Sequence, residues 1–296
     1  MVQNMWNWQL EDWPHFSYTE AVLQTQEADF LKQSGFSFGI SKHIHEEERR
    51  DITVNLMCTE AFKTSEIENE ILDRDSLQSS IKRQFGFKDV PSRNHPRENG
   101  VAEMMIDLFH HFDAPLSHDT LCNWHAMLMN GRRDLPDIGH YRTHSEPMQV
   151  VSGYIHKQRV HFEAPPSETM GKEMETFVSW FNDTAPTGKH RLPALTRAAI
   201  AHLYFVSIHP FEDGNGRIGR ALVEKALAQS LGQPTLIALS HIIQDQKKRY
   251  YEALEKQSRH NRIDDWLSYF ADVILQAQSY TILEIEFLVQ KTKFNF

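Results

Sequence analysis

Between His209 and Arg220 the chain reads His-Pro-Phe-Glu-Asp-Gly-Asn-Gly-Arg-Ile-Gly-Arg. Gly214 and Gly216 let the backbone turn tightly and bare its N–H groups. A helical pattern follows, so those groups fall at a helix N-terminus, where unpaired donors and the helix dipole favour an anion. That combination is a phosphate cradle. Asn215 is of a type that caps helices. Arg217 and Arg220 share one face of the first turn. They repel each other and oppose the dipole, so a bound anion would neutralise them, and guanidinium forks grip phosphate bidentately. Asp213 beside the cradle suits Mg²⁺, which shares phosphate oxygens and keeps its waters. His209 can act as a general base near neutral pH. The set fits phosphoryl or nucleotidyl transfer. Taken singly, each residue has a plainer reading: a satisfied helix-end histidine and a well-capped surface loop. No Walker-type GxxxxGK[ST] loop occurs.

The segment matches HxFx(D/E)GNGRxxR at every defined position, and through it the chain resembles the Fic enzymes. The resemblance implies a protein adenylyltransferase that moves AMP from Mg-ATP to a Ser, Thr or Tyr hydroxyl. It implies that His209 deprotonates that hydroxyl, Phe211 anchors the loop and Asp213 holds Mg²⁺. Gly214, Asn215 and Gly216 would cradle the phosphates, with Arg217 and Arg220 on the β- and γ-phosphates. The stretch from Met148 to Phe162, preceded by Gly139-His140-Tyr141-Arg142, looks like the Fic flap. There Met148, Gln149, Val150 and Val151 would dock the target peptide as an added strand. Tyr250, Tyr251 and Asn261 are expected to line the adenine pocket; the plain alternative makes Tyr250, Tyr251 and Trp266 core. The aromatic N-terminus, with Trp6-Asn7-Trp8 and Trp13-Pro14, resembles an uncharacterised helical domain that often precedes Fic domains.

Fic enzymes often carry an inhibitory helix with the pattern (S/T)xxxE(G/N). Thr64-Ser65-Glu66-Ile67-Glu68-Asn69 fits it. By resemblance Glu68 would pair with Arg220 and deny that arginine to the γ-phosphate. A carboxylate is a fair stand-in for phosphate on a buried arginine. The competing reading is a capping box, Ser65-x-x-Glu68, that starts a helix.

The elements that must position these residues read as all-α, with one β-hairpin flap. Residues 44–85 carry a helical pattern, with Leu56, Phe62, Ile67, Ile71, Leu77 and Ile81 among polar residues. Lys88 to Gly100 is polar with two prolines, which predicts a boundary. The expected domains are an N-terminal helical region over 1–90, with the inhibitory helix at about 64–69, and a Fic core over 91–296. Helices are predicted from Val101, from Ser117 or His118, along Met170, Met174, Phe177 and Phe181, and after Pro193 as a first helical residue. The helix through Leu195, Ala199, Leu203 and Val206 is apolar on nearly every side and should be central. More helices are expected over 217–231 and 246–257. From Asp264 to about Lys291 the pattern predicts one long helix or two shorter ones. Alternation near Gln149–Val151 and Arg159–Phe162, with a Ser152-Gly153 turn, predicts the hairpin.

The 296 residues bear a net charge of -9, which argues against a nucleic-acid partner. The two cysteines, Cys58 and Cys122, form no CxxC, which points to free thiols in a reducing compartment. No HExxH occurs, and His140 and His144, although four apart, fall in a loop-like stretch with Arg142, so a structural transition-metal site is not expected. The N-terminus lacks a signal-peptide pattern and no apolar run could span a bilayer, so the expectation is a cytoplasmic protein; the sequence ends soon after the expected Fic core, so no appended winged-helix domain is expected. The expected partners are ATP and a protein target, with a homodimer left open. Two rival functions stand beside adenylylation. The same cradle could transfer UMP, phosphate or phosphocholine, or remove AMP. A binding module could sense nucleotide without turnover, although His209 argues against that.

Overall fold

The computed structural model describes residues 5–42, 44–88, 90–91, 95–153 and 159–294. Met1 to Asn4, residues 92–94 of the expected boundary and 154–158 of the expected hairpin turn lie outside the described residues. Eleven α-helices and one two-stranded sheet make up the described residues: α1 Gln24–Ser41, α2 Glu46–Ile67, α3 Arg74–Gln84, α4 Pro96–His110, α5 His118–Leu128, β1 Gln149–Ser152, β2 Arg159–Glu163, α6 Met170–Asp183, α7 Ala194–Ile208, α8 Asn215–Leu231, α9 Leu239–Asp245, α10 Lys247–Gln257 and α11 Asp264–Phe294. The class is all-α with one antiparallel hairpin, in which a bulge falls between Val150 and Val151.

The core is built around α7. All its residues but Val206 are buried, and it packs against α8, α11 and α6. A helix apolar all round can only sit inside. Met170, Met174, Phe177 and Phe181 form the inner stripe of α6. The long C-terminal helix is single, not two. The N-terminal aromatics are packed: Trp13 and Phe16 meet Tyr204 edge-on. Both cysteines are free; Cys58 is buried and Cys122 half-buried.

Several boundaries differ from the sequence pattern. The helical stretch 44–85 is two helices, broken where Asn69 takes φ 61°. Asn is among the few residues that adopt this left-handed conformation readily. The capping-box reading fails, because Ser65 is buried in the last turn of α2 and Glu68 is that helix's C-cap. The next helix is capped by Asp73, which accepts from Ser76 N at 2.7 Å. Pro193 stands one position earlier than expected, as N-cap. Helix α9 escaped notice because it is short.

Helix α4 begins at Pro96, inside the expected linker, with Gly100 in its second turn. A Cβ on Gly100 would run into the Met127 carbonyl of α5. Glycine here permits close packing of α4 on α5. Gly100→Ala should therefore lower stability by about 1–3 kcal/mol through overpacking. In an open helix the same change would stabilise by about 1 kcal/mol. Thermal unfolding followed by circular dichroism gives the sign; a raised Tm would refute the close approach.

Candidate active site

Helix α7 stops at His209, whose φ of 52° turns the chain out of the helix. His209 Nδ1 lies 3.2 Å from the Val206 carbonyl oxygen, which can only accept. The proton therefore sits on Nδ1, and Nε2 keeps the lone pair. Arg142 fixes the loop from behind. Its Nε donates to His209 O at 2.8 Å, and its backbone N–H donates to Pro210 O at 2.9 Å. Burial pushes the His209 imidazole down to about 4, helped by the Arg142 charge and opposed by its bond to Val206.

Phe211 is fully buried and stacks on His125, with ring centroids 4.2 Å apart. The cap expected of Asn215 is absent: Gly214, at φ 81°, is the N-cap, and Asn215 is the first residue of α8. The Asn215 amide instead ties the loop shut, accepting from Phe211 N at 3.0 Å and donating to Phe211 O at 2.7 Å. This leaves the first N–H groups of α8 facing the loop as an anion hole.

Both motif arginines are almost fully buried, and both are occupied. Arg220 Nη2 meets Glu68 Oε1 at 2.8 Å and Thr64 O at 2.9 Å, while its Nε donates to Thr64 Oγ1 at 2.7 Å. Arg217 Nη1 pairs with Glu70, and its Nη2 meets Asp213 Oδ1 at 3.3 Å. A Cβ on Gly216 would strike the Glu68 carboxylate, so glycine is needed for that approach. Two buried N–H donors, Arg217 Nε and Arg220 Nη1, have no hydrogen-bond partner among the described residues. Buried guanidinium donors without acceptors suit a ligand rich in anionic oxygens.

Asp213 also pairs with Arg132, Nη1 to Oδ2 at 2.8 Å. Burial alone would raise its carboxyl, but Arg217 and Arg132 outweigh this and hold it below the ordinary carboxylate range. Asp213 thus stays ionised at the cradle's edge. Among the described residues no group of three or more His, Cys, Asp or Glu side chains could hold a metal. A single charged carboxylate still fits Mg²⁺ if phosphate oxygens and water complete its shell.

A cleft of about 780 Å³, a size that suits a nucleotide, opens beside these parts; of the motif His209 and Gly216 line it, while Asp213, Arg217 and Arg220 lie behind its wall. His209, Gly216, Glu68, Asn69, Val150, Val151, Tyr250 and Tyr251 line it. Tyr250 is also core: it is buried, and its hydroxyl lies 2.7 Å from His202 Nε2. Trp266 is core alone, donating to Ala199 O at 2.9 Å. Asn261 does not line the cleft. It is buried elsewhere, and its amide donates to Asn7 O at 3.1 Å and Asp12 Oδ1 at 2.8 Å. Met148 and Gln149 flank the cleft without lining it: Met148 packs beneath the hairpin, and Gln149 bonds Glu163.

Three residues were missed at the sequence level. Glu70 reaches Arg217 because the chain reverses at Asn69. Arg132 comes from the loop after α5. Glu60, in α2, accepts from Ser240 N and Oγ and anchors that helix to α9. Burial pushes its carboxyl up to about 7, against the pull of the Ser240 bonds.

A helix N-terminus, two buried arginines just behind it and a neutral buried imidazole beside it form a group of side chains suited to a polyphosphate and a proton transfer. Residues 115–227 match the Fic/DOC family model, and the chain carries a Fic domain. Residues 6–87 match a domain of unknown function, DUF4172. The protein adenylyltransferase fic-1 of Caenorhabditis elegans is 29% identical over 139 residues, 47% of this chain and 23% of that protein. The protein adenylyltransferase Fic of Nematostella vectensis is 31% identical over 129 residues, 43% of this chain and 28% of that protein. The matches thus span about a quarter of those relatives' length. A Fic family protein from Desulfovibrio desulfuricans superposes with a TM-score of 0.65 at 22% identity, over 90% of this chain and 75% of that one. A Fic domain containing signaling protein from Bacteroides thetaiotaomicron gives 0.64 at 20% identity, over 86% and 97%. Both likenesses concern the fold. No described helix is long and apolar enough to cross a membrane.

An unfolded-chain histidine titrates near 6.5. His209 should stay neutral down to about pH 4 in the folded protein. Its contribution to stability is then present above pH 6.5 and is lost as pH falls from 6.5 through 4. An NMR titration of the His209 ring checks this; a midpoint at 6.5 would contradict the burial argument.

Proposed function

We propose that the chain is a protein adenylyltransferase, transferring AMP from ATP to a hydroxyl of a protein held on the β1–β2 hairpin. The observation that carries this reading is the shared cleft: His209, whose Nε2 keeps its lone pair, and Gly216 in the first turn of α8 line the same space. The likeness to named adenylyltransferases supports AMP as the transferred group.

The residues divide the work as follows. The hairpin receives the target as an extra strand. Its hydroxyl oxygen attacks the α-phosphorus while the proton passes to His209 Nε2. The bond from the α-phosphorus to the bridging oxygen breaks, and pyrophosphate leaves into the α8 cradle. Arg217 and Arg220 neutralise its growing charge. Mg²⁺ held by Asp213 would add charge neutralisation on the phosphates. Tyr250 and Tyr251 offer the base an aromatic wall.

The same reading makes the ground state self-inhibited. The region over 1–90 supplies α2, whose end and the turn just after it occupy both arginines of the core over 91–296. Glu68 takes the place on Arg220, and Glu70 the place on Arg217. Neither arginine can meet a triphosphate in full until these carboxylates withdraw.

ATP labelled at the α- or the γ-phosphate, given with Mg²⁺ and a cell lysate as acceptor, tests the scheme. Glu68→Gly should raise α-label in protein by roughly tenfold or more, the scale of a lost charge-assisted bond. Adding Glu70→Ala should raise it further. Adding His209→Ala to Glu68→Gly should cut it by about 10²–10⁴-fold. Incorporation of γ-label alone would mark a kinase and overturn the assignment.

A further inference from the structure

We infer that the N-terminal segment of the domain of unknown function is part of the target-docking apparatus: Trp6 and Trp8 clasp the β1–β2 hairpin while Asn7 braces the cleft wall. The inference rests on the transferase reading for its role, but its geometry stands apart from it.

A two-stranded hairpin is marginal in water by itself. Yet β1 and β2 project from a helical body and must hold a target strand by backbone bonds. Each such bond counts fully only if the hairpin is already ordered, because ordering it on binding subtracts from affinity. Something must therefore hold it. One hold comes from α10, where Glu255 pairs with Arg159 and accepts from His161 Nδ1 at 2.7 Å. The other comes from the far end of the chain. The Trp6 ring meets Phe162 edge-on, with centroids 5.4 Å apart. Ala164, Met148, Val150 and Trp8 complete a small apolar cluster separate from the main core. Trp8 Nε1 donates to Glu163 O at 2.6 Å. The Arg259 guanidinium lies 3.4 Å from the Trp6 ring centroid, which fixes the ring between α10's end and β2.

Between the two tryptophans, Asn7 is fully buried. Its Nδ2 donates to Ser207 Oγ at 3.1 Å, and its backbone N–H donates to Ser258 O at 2.7 Å. Ser207 and Ser258 both line the cleft, and Ser207 is two residues before His209. The segment thus touches the hairpin, the cleft wall and the approach to the base within three consecutive residues. An unrelated packing role would place Trp6 against the main core; it packs instead against the hairpin. These are positioning residues, and none touches the reacting atoms.

The test uses the full chain, with Glu68→Gly as background. Trp8→Phe keeps the apolar ring and removes the N–H; Trp6→Ala removes the ring, and Trp6→Phe restores an aromatic. Hydrogen exchange is followed at the Ala164 amide, which donates to Met148 O at 2.9 Å, and at the strand amides. We expect exchange there to quicken roughly tenfold in Trp8→Phe and Trp6→Ala, the scale of one lost bond. The α7 and α8 amides should keep their rates, and Trp6→Phe should recover most of the protection. Transfer of α-label should fall, with the deficit shrinking as the lysate acceptor is concentrated, while the dissociation constant for ATP stays unchanged. Unaltered hairpin exchange in both variants, or faster exchange over the whole molecule, would overturn the clasp. Faster hairpin exchange with undiminished transfer would overturn its docking role. If Glu68→Gly itself transfers no label, the transferase reading fails, and the exchange measurements still decide the clasp.

Discussion

Two guanidinium groups lie buried in the first two turns of α8, close to the helix end where the backbone already presents positive charge. A buried charge must be paired or it is strongly unfavourable. The surroundings of the site answer that constraint. Asp213 and Glu70 face Arg217, while Glu68 and Thr64 face Arg220. The last turn of α2 is drawn to the spot, and the anchor of Glu60 on Ser240 keeps the helix docked behind it. Gly216 lacks a side chain where the Glu68 carboxylate must come close. Even with these partners, two arginine N–H groups remain unmet.

What could be read beforehand follows from how local each feature is. The segment from His209 to Arg220 was legible because its chemistry is contiguous, one helix end followed by one turn and one helix start. The hairpin showed in its alternation, and α7 in its unbroken apolar surface. Glu70 was not legible: no periodicity links it to Glu68, and only the left-handed turn at Asn69 aims both carboxylates at one helix. Asn261 failed for the opposite reason. Its place near the tyrosines suggested the cleft, but the N-terminal segment, far off in sequence, claims its amide. Gly100 looked like a linker residue because glycine and proline punctuate loops far more often than they serve tight helix contacts.

The third cation near the cradle, Arg132, was equally hidden, since nothing in a loop arginine tells that it will reach Asp213. Its bond keeps the aspartate charged and oriented. Local pattern thus found the groups that bear charge toward the cleft, whereas the groups that hold them in place come from distant parts of the chain.

Glu68 and Glu70 belong to the same chain as the arginines they pair with, so toward the proposed polyphosphate they would compete as if present at a high fixed concentration. On the proposed function linkage would run both ways: whatever loosens the end of α2 would tighten the hold on an incoming polyphosphate, and a polyphosphate seated on both arginines would loosen α2 by the same factor. The left-handed turn at Asn69, which Lys247 holds through its side-chain oxygen at 3.0 Å, is where that exchange would be transmitted. On that reading a single residue's backbone conformation would join the packing of the N-terminal helices to ligand occupancy at the core.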